Sequence, residues 1–85
     1  MPTVLVLSGW RFFFYSNESG EPIHIHCRKA EMECKFWIYP EEYEVEIAYE
    51  YNLGSKEKRF LRKTIFEHFE YLIEQWNAIH GSRNE

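Results

Sequence analysis

The sequence has little sulfur, few chain breakers and no excess of positive charge. Two cysteines in 85 residues are too few for a disulfide scaffold, which excludes the small cystine-rich secreted folds. Three prolines and four glycines leave no linker, repeat or low-complexity tract. Ten basic residues stand against fourteen acidic ones, a net charge of −4. That excludes a globally basic chain wrapping nucleic acid by charge alone. No apolar run approaches the roughly 18 residues of a membrane span, so no membrane partner is expected. The start, Met1 to Leu7, has no basic n-region and soon meets Gly9-Trp10-Arg11, so no signal peptide is expected and the expected location is cytoplasmic. A glycine-rich phosphate loop, a CxxC pair and a Ser/His/Asp order are also absent, leaving nucleotide-fold and triad chemistry without support.

What the sequence does have is rings. Aromatics make up 19% of the chain and hydrophobic residues 45%, enough for one small core and one domain over residues 1–85. Thr3–Leu7 reads as a strand, Ser8-Gly9 as a two-residue turn, and residues 10–15 as a second strand with Phe12 and Phe14 on one face. Residues 16–22 carry turn chemistry at every position. Residues 23–29 and 32–39 form a hairpin around Ala30-Glu31, a pair without the Gly or Asn that a type I′ turn prefers, so a longer loop with a bulge is the alternative. Its register sets Cys27 opposite Cys34, Ile25 opposite Phe36 and Ile23 opposite Ile38 on an apolar face. Arg28 faces Glu33, His26 faces Lys35 and His24 faces Trp37 on the other. Residues 43–51 alternate, with Tyr43, Val45, Ile47, Tyr49 and Tyr51 pointing one way. The period then becomes 3.6, and one long helix is expected over residues 56–80, capped by Ser55 and stopped by Gly81. The expected class is α+β: a mainly antiparallel sheet of about five strands, with the helix on the face of Ile25, Cys27, Cys34 and Phe36. In a reducing compartment the two cysteines are buried thiols.

The segments Met1 to Leu5, Gly9 to Glu18, Glu21-Pro22-Ile23-His24-Ile25-His26 and Lys35-Phe36-Trp37-Ile38, with the closing helix, resemble the bacterial domain-of-unknown-function family 4160. The most specific part is Glu-Pro-x-His-x-His followed by Lys-Phe-Trp. The resemblance implies no activity or cofactor. It does imply a small protein partner resembling domain-of-unknown-function family 2442, in a toxin–antitoxin-like pair of genes.

His24 and His26, two apart on a strand, share a face. With Arg28 and Lys35 they have the parts for phosphodiester cleavage: a base, an acid and cations for the phosphate. As metal ligands they need a third donor, which Glu21 or Glu33 could supply, and a fourth for a closed zinc site. No metal is expected there, and no cofactor. Glu33, already paired with Arg28, is the one carboxylate placed to orient an imidazole. Trp37 among charges marks a contact surface with Asn17, Glu21 and Glu33. Lys56, Lys58, Arg59, Arg62 and Lys63 form a basic patch at the helix start, where the macrodipole disfavours cations. Neutralisation by the acidic strand is favoured over RNA contact, because no aromatic interleaves these cations. A small-protein partner is thus expected first and RNA second, with a homo-oligomer left open.

Overall fold

Alternating side chains build five strands, β1 (Thr3–Leu7), β2 (Trp10–Phe13), β3 (His24–Lys29), β4 (Met32–Tyr39) and β5 (Glu44–Tyr51). Two helices follow, α1 (Ser55–Glu67) and α2 (Phe69–His80). The structure, a computed structural model, describes residues 3–18 and 20–81. Met1 and Pro2 before β1, Ser19 in the 16–22 loop and residues 82–85 of the expected domain lie outside the described residues. The strands lie in the order β1-β2-β3-β4-β5, each antiparallel to the next. Ser8 (φ 52) and Gly9 (φ 83) are both left-handed, as a two-residue turn matched to strand twist requires.

The β3–β4 register is the expected one, from Lys29 opposite Met32 to His24 opposite Trp37. Its apolar face meets the helices: Ile25, Cys27, Cys34 and Phe36 share a core with Leu61, Ile65, Phe69, Leu72 and Trp76. Three strands are shorter than their sequence pattern. β2 stops at Phe13 because the chain turns, with Glu18 N–H donating to the Tyr15 carbonyl at 3.2 Å. Ile23 precedes β3 yet still accepts from Ile38 N–H at 2.9 Å. Tyr43 turns at φ 52 before β5 begins.

The helical segment is two helices, not one. The break falls at His68 (φ −118, ψ 25). There the Thr64 carbonyl accepts both His68 N–H, at 3.1 Å, and His68 Nδ1–H, at 2.9 Å. Thr64 Oγ1 meanwhile donates to the Phe60 carbonyl at 2.8 Å. Side-chain donors competing for carbonyls one turn apart distort the ladder there. At the start, Gly54 rather than Ser55 is the N-cap, and its N–H donates to Glu57 Oε1 at 3.0 Å. Gly81, left-handed at φ 60, ends α2 as expected.

β5 departs most from its pattern. Phe36 pairs with Ile47, but Lys35 pairs with Tyr49, so Ala48 is an extra residue. A bulge of one residue reverses the alternation beyond it. Val45 and Ile47 join the core side, as expected. Tyr49 and Tyr51, expected with them, instead stand opposite Lys35 and Glu33 on the histidine face.

Two stability changes follow. Leu72 is fully buried, and Leu72→Ala should cost about 2–5 kcal/mol in urea unfolding. Ala30 sits at φ 53, where a Cβ is strained and glycine is not. Ala30→Gly should therefore raise stability by about 0.5–1 kcal/mol, read as a higher Tm in a thermal melt; a lower Tm would show that the turn carries no strain.

Candidate functional site

Antiparallel pairing lays out the sheet face away from the helix core in rows. One row runs Phe13, His26, Lys35, Tyr49. A second runs Arg11, Arg28, Glu33, Tyr51, and a third His24, Trp37, Glu46. The histidines are not open on this face: His24 is 0% and His26 3% exposed. The β2–β3 loop covers them. Tight turns fold it back, with Glu21 N–H donating to the Glu18 carbonyl at 3.0 Å. The Glu18 carboxylate, which also accepts from Tyr15 N–H at 3.3 Å, thereby points down between the two rings.

Three groups converge there. His24 Nε2 lies 2.7 Å from Glu18 Oε1, and His26 Nε2 lies 3.1 and 3.2 Å from its two oxygens. The far nitrogens are also engaged. His24 Nδ1–H donates to the Pro22 carbonyl at 2.9 Å, and His26 Nδ1 is 3.3 Å from the Tyr49 hydroxyl. Rings close the walls: Phe13 stacks on His26 at 5.3 Å, Tyr15 meets it edge-on at 4.8 Å, and Trp37 and Trp76 meet His24 at 5.6 and 4.9 Å.

These surroundings set the protonation chemistry. Burial works to raise the Glu18 carboxyl, but hydrogen bonds from His24 and His26 outweigh it and hold the group below the usual carboxylate range. For His26 burial is the largest effect, and it lowers the imidazole against the opposing pull of Glu18. Burial, and behind it the Glu33 carboxylate, push the Tyr49 hydroxyl up to about 12, so it stays a hydrogen-bond donor.

Arg28 pairs with Glu33 at 2.9 Å on the exposed edge, as the register implies. Lys35 Nζ pairs with Glu21 at 2.8 Å and lies 4.2 Å from the centre of the Trp37 ring. Trp37 is half-buried, and Asn17 is exposed on the loop. Of the expected third donors, Glu33 pairs with Arg28, and Glu21 pairs with Lys35 and comes only to 3.9 Å from His24 Nδ1, so Glu18 takes that place. Glu18 is also the orienting carboxylate that sequence spacing assigned to Glu33. No periodicity links a loop residue to strand positions six and eight later, so the fold of the loop alone brings them together. The basic patch is largely neutralised internally. Lys58 pairs with Glu50 at 3.2 Å, Arg62 with Glu44 at 2.7 Å and Lys63 with Glu67 at 3.7 Å. Lys56 lines a shallow cavity with Trp10 and Lys29, and Arg59 borders a groove over Phe36 and Ile47.

A family model described as Domain of unknown function (DUF4160) matches residues 9–77. The chain belongs to this family. The DUF4160 match spans β2 through most of α2 and takes in Glu18, His24 and His26 together. No curated protein and no solved structure matches the chain. The membership carries no named activity, and the chemistry open to this DUF4160 domain rests on its own side chains. Among the described residues, no helix is long and apolar enough to cross a membrane.

The two lowered groups act in the same direction. Lowering His26 in the folded state means that the unfolded chain takes up its proton first, so stability falls as pH drops below about 6.5. Lowered Glu18 extends the loss as pH falls further, through its own folded-state titration. Thermal melts from pH 8 to pH 4 should show Tm falling throughout the acid range. His26→Gln should flatten the upper part of that fall, and a profile unchanged by this substitution would remove His26 as its source.

Proposed function

We propose that this DUF4160 chain is the interaction half of a toxin–antitoxin-like pair, and that the sheet face bearing Trp37 is its contact surface. One observation carries the reading. Both helices supply the opposite core, and this face, at the Trp37–Tyr51 side, presents large rings without a covering element among the described residues. Trp37, Tyr39 and Tyr49 are half-buried, and Tyr51 is 60% exposed. Arg28 stands in the same row as Tyr51. Trp, Tyr and Arg are the residues that most often dominate binding energy at interfaces. The partner fitting the resemblance is a second small protein like those of domain-of-unknown-function family 2442, encoded beside this one.

A second reading, a small ribonuclease or phosphodiesterase, is favoured by the Glu18 carboxylate. It orients both imidazoles, as an acid–base pair requires. Burial weighs against it, because a polymer phosphate has no approach to His24 with the loop in place. Arg28 and Lys35, the expected phosphate ligands, are each paired with a glutamate.

Calorimetry with the purified product of the neighbouring gene separates the two. Trp37→Ala should weaken the complex by about 2 kcal/mol or more, and Tyr51→Ala should weaken it in the same direction. RNA cleavage by pure wild-type protein that vanishes in His26→Gln and survives Trp37→Ala would establish the enzyme instead.

A further inference from the structure

The His24 ring faces an acceptor at each nitrogen. Its Nδ1 meets the Pro22 carbonyl, which can only accept, so Nδ1 carries a hydrogen. In the neutral ring that leaves a lone pair on Nε2, directed at a carboxylate oxygen 2.7 Å away. Two acceptors at that distance repel unless a positive charge lies between them. A proton shared between the two groups or a metal cation meets that need.

We propose that Glu18, His24 and His26 form a site for a divalent first-row transition ion such as zinc, with both Nε2 atoms and a Glu18 carboxylate oxygen as ligands. The candidate ligand atoms all lie within 4.8 Å of one another. Donors around a tetrahedral zinc sit about 2.0–2.1 Å from the ion, hence about 3.3 Å apart. The closest pair here needs to open by about 0.6 Å, within reach of a small rotation of the carboxylate. The two imidazole planes stand at 89° with centres 5.0 Å apart, so they approach one point from different directions.

The outer contacts fit the same assignment. A metal-bound histidine ordinarily donates its other N–H to a carbonyl or another fixed oxygen. His24 does so to Pro22, and His26 has the Tyr49 oxygen at its Nδ1. Lys35, the nearest competing cation, is neutralised by Glu21. Cys27 and Cys34 lie in the core on the opposite face, so the donor set is two nitrogens and one oxygen. Three protein ligands leave a position for water, and the Glu18 side chain is 15% exposed, which gives the ion an entry at the loop. The set matches borderline ions held by imidazole and carboxylate, not the soft ions that thiolates select.

Tag-free protein stripped with a chelator and titrated with zinc chloride tests this directly. The expected result is one equivalent bound with a Kd below about 1 µM. At a hundredfold excess over Kd, Tm should rise by about 10–20 °C. Cobalt(II) should give the visible absorption bands of a low-coordinate site. Glu18→Gln keeps the length and one acceptor oxygen of the side chain while removing its charge, and it should weaken zinc at least tenfold. His68→Gln, remote from the site, should not. Circular dichroism of the metal-free Glu18→Gln variant distinguishes lost ligation from lost folding, and the wild-type titration decides the matter if that variant does not fold. Folded wild-type protein that binds no zinc at about 0.1 mM, or a folded Glu18→Gln variant with unchanged affinity, would overturn the site.

Discussion

The pairing of β3 with β4 is the constraint from which both faces of the molecule follow. Side chains alternate strictly along the two strands, so one register assigns every one of them to a side. With Lys29 opposite Met32, the cysteines, Ile25 and Phe36 meet the helices, and His24, His26 and Lys35 meet the β2–β3 loop. A slip of one residue would bury Arg28 and Lys35 under α1 and α2 and expose the core. No partial version is stable, which is why the alternation runs unbroken through both strands.

The second face raises a problem that the first does not. It buries two imidazoles and most of a carboxylate beneath a loop, and buried polar groups are costly unless they are paired. Glu18 meets the requirement by taking both rings and Tyr15 N–H at once. The loop is held down by this polar contact as much as by rings, so loop position and site geometry are one event. The arrangement is compatible with a contact surface beside it, because Trp37 both packs on His24 and reaches toward the open part of the sheet.

Sequence patterning made the sheet legible to a large degree. Hairpin register, the Ser8-Gly9 turn, the helix-bearing face and the Gly81 stop all rest on local rules of period and turn chemistry. Three things escaped it. The helix break depends on how the Thr64 and His68 side chains bond to their own backbone, and apolar spacing continues straight through them. The bulge at Ala48 left a pattern that looks perfect on paper, since tyrosine suits either face. Glu18 reached the histidines by tertiary folding of a loop, and such contacts have no period to read. The charge pattern of α1 was legible through its partners: a basic turn beside an acidic strand resolves into Lys58–Glu50 and Arg62–Glu44.

The bulge has a consequence for how this surface can change over generations. β5 is two half-strands of opposite parity joined at one residue. The residues after Ala48 take their side of the sheet from that single insertion and not from their own chemistry. A point substitution alters one site, whereas a one-codon gain or loss there exchanges the whole terminal half of the strand between the helix-bearing face and the histidine face of the sheet. The tyrosine content of the outward face is therefore inherited as a block, and lineages that differ by one residue in β5 would present different faces with almost the same composition.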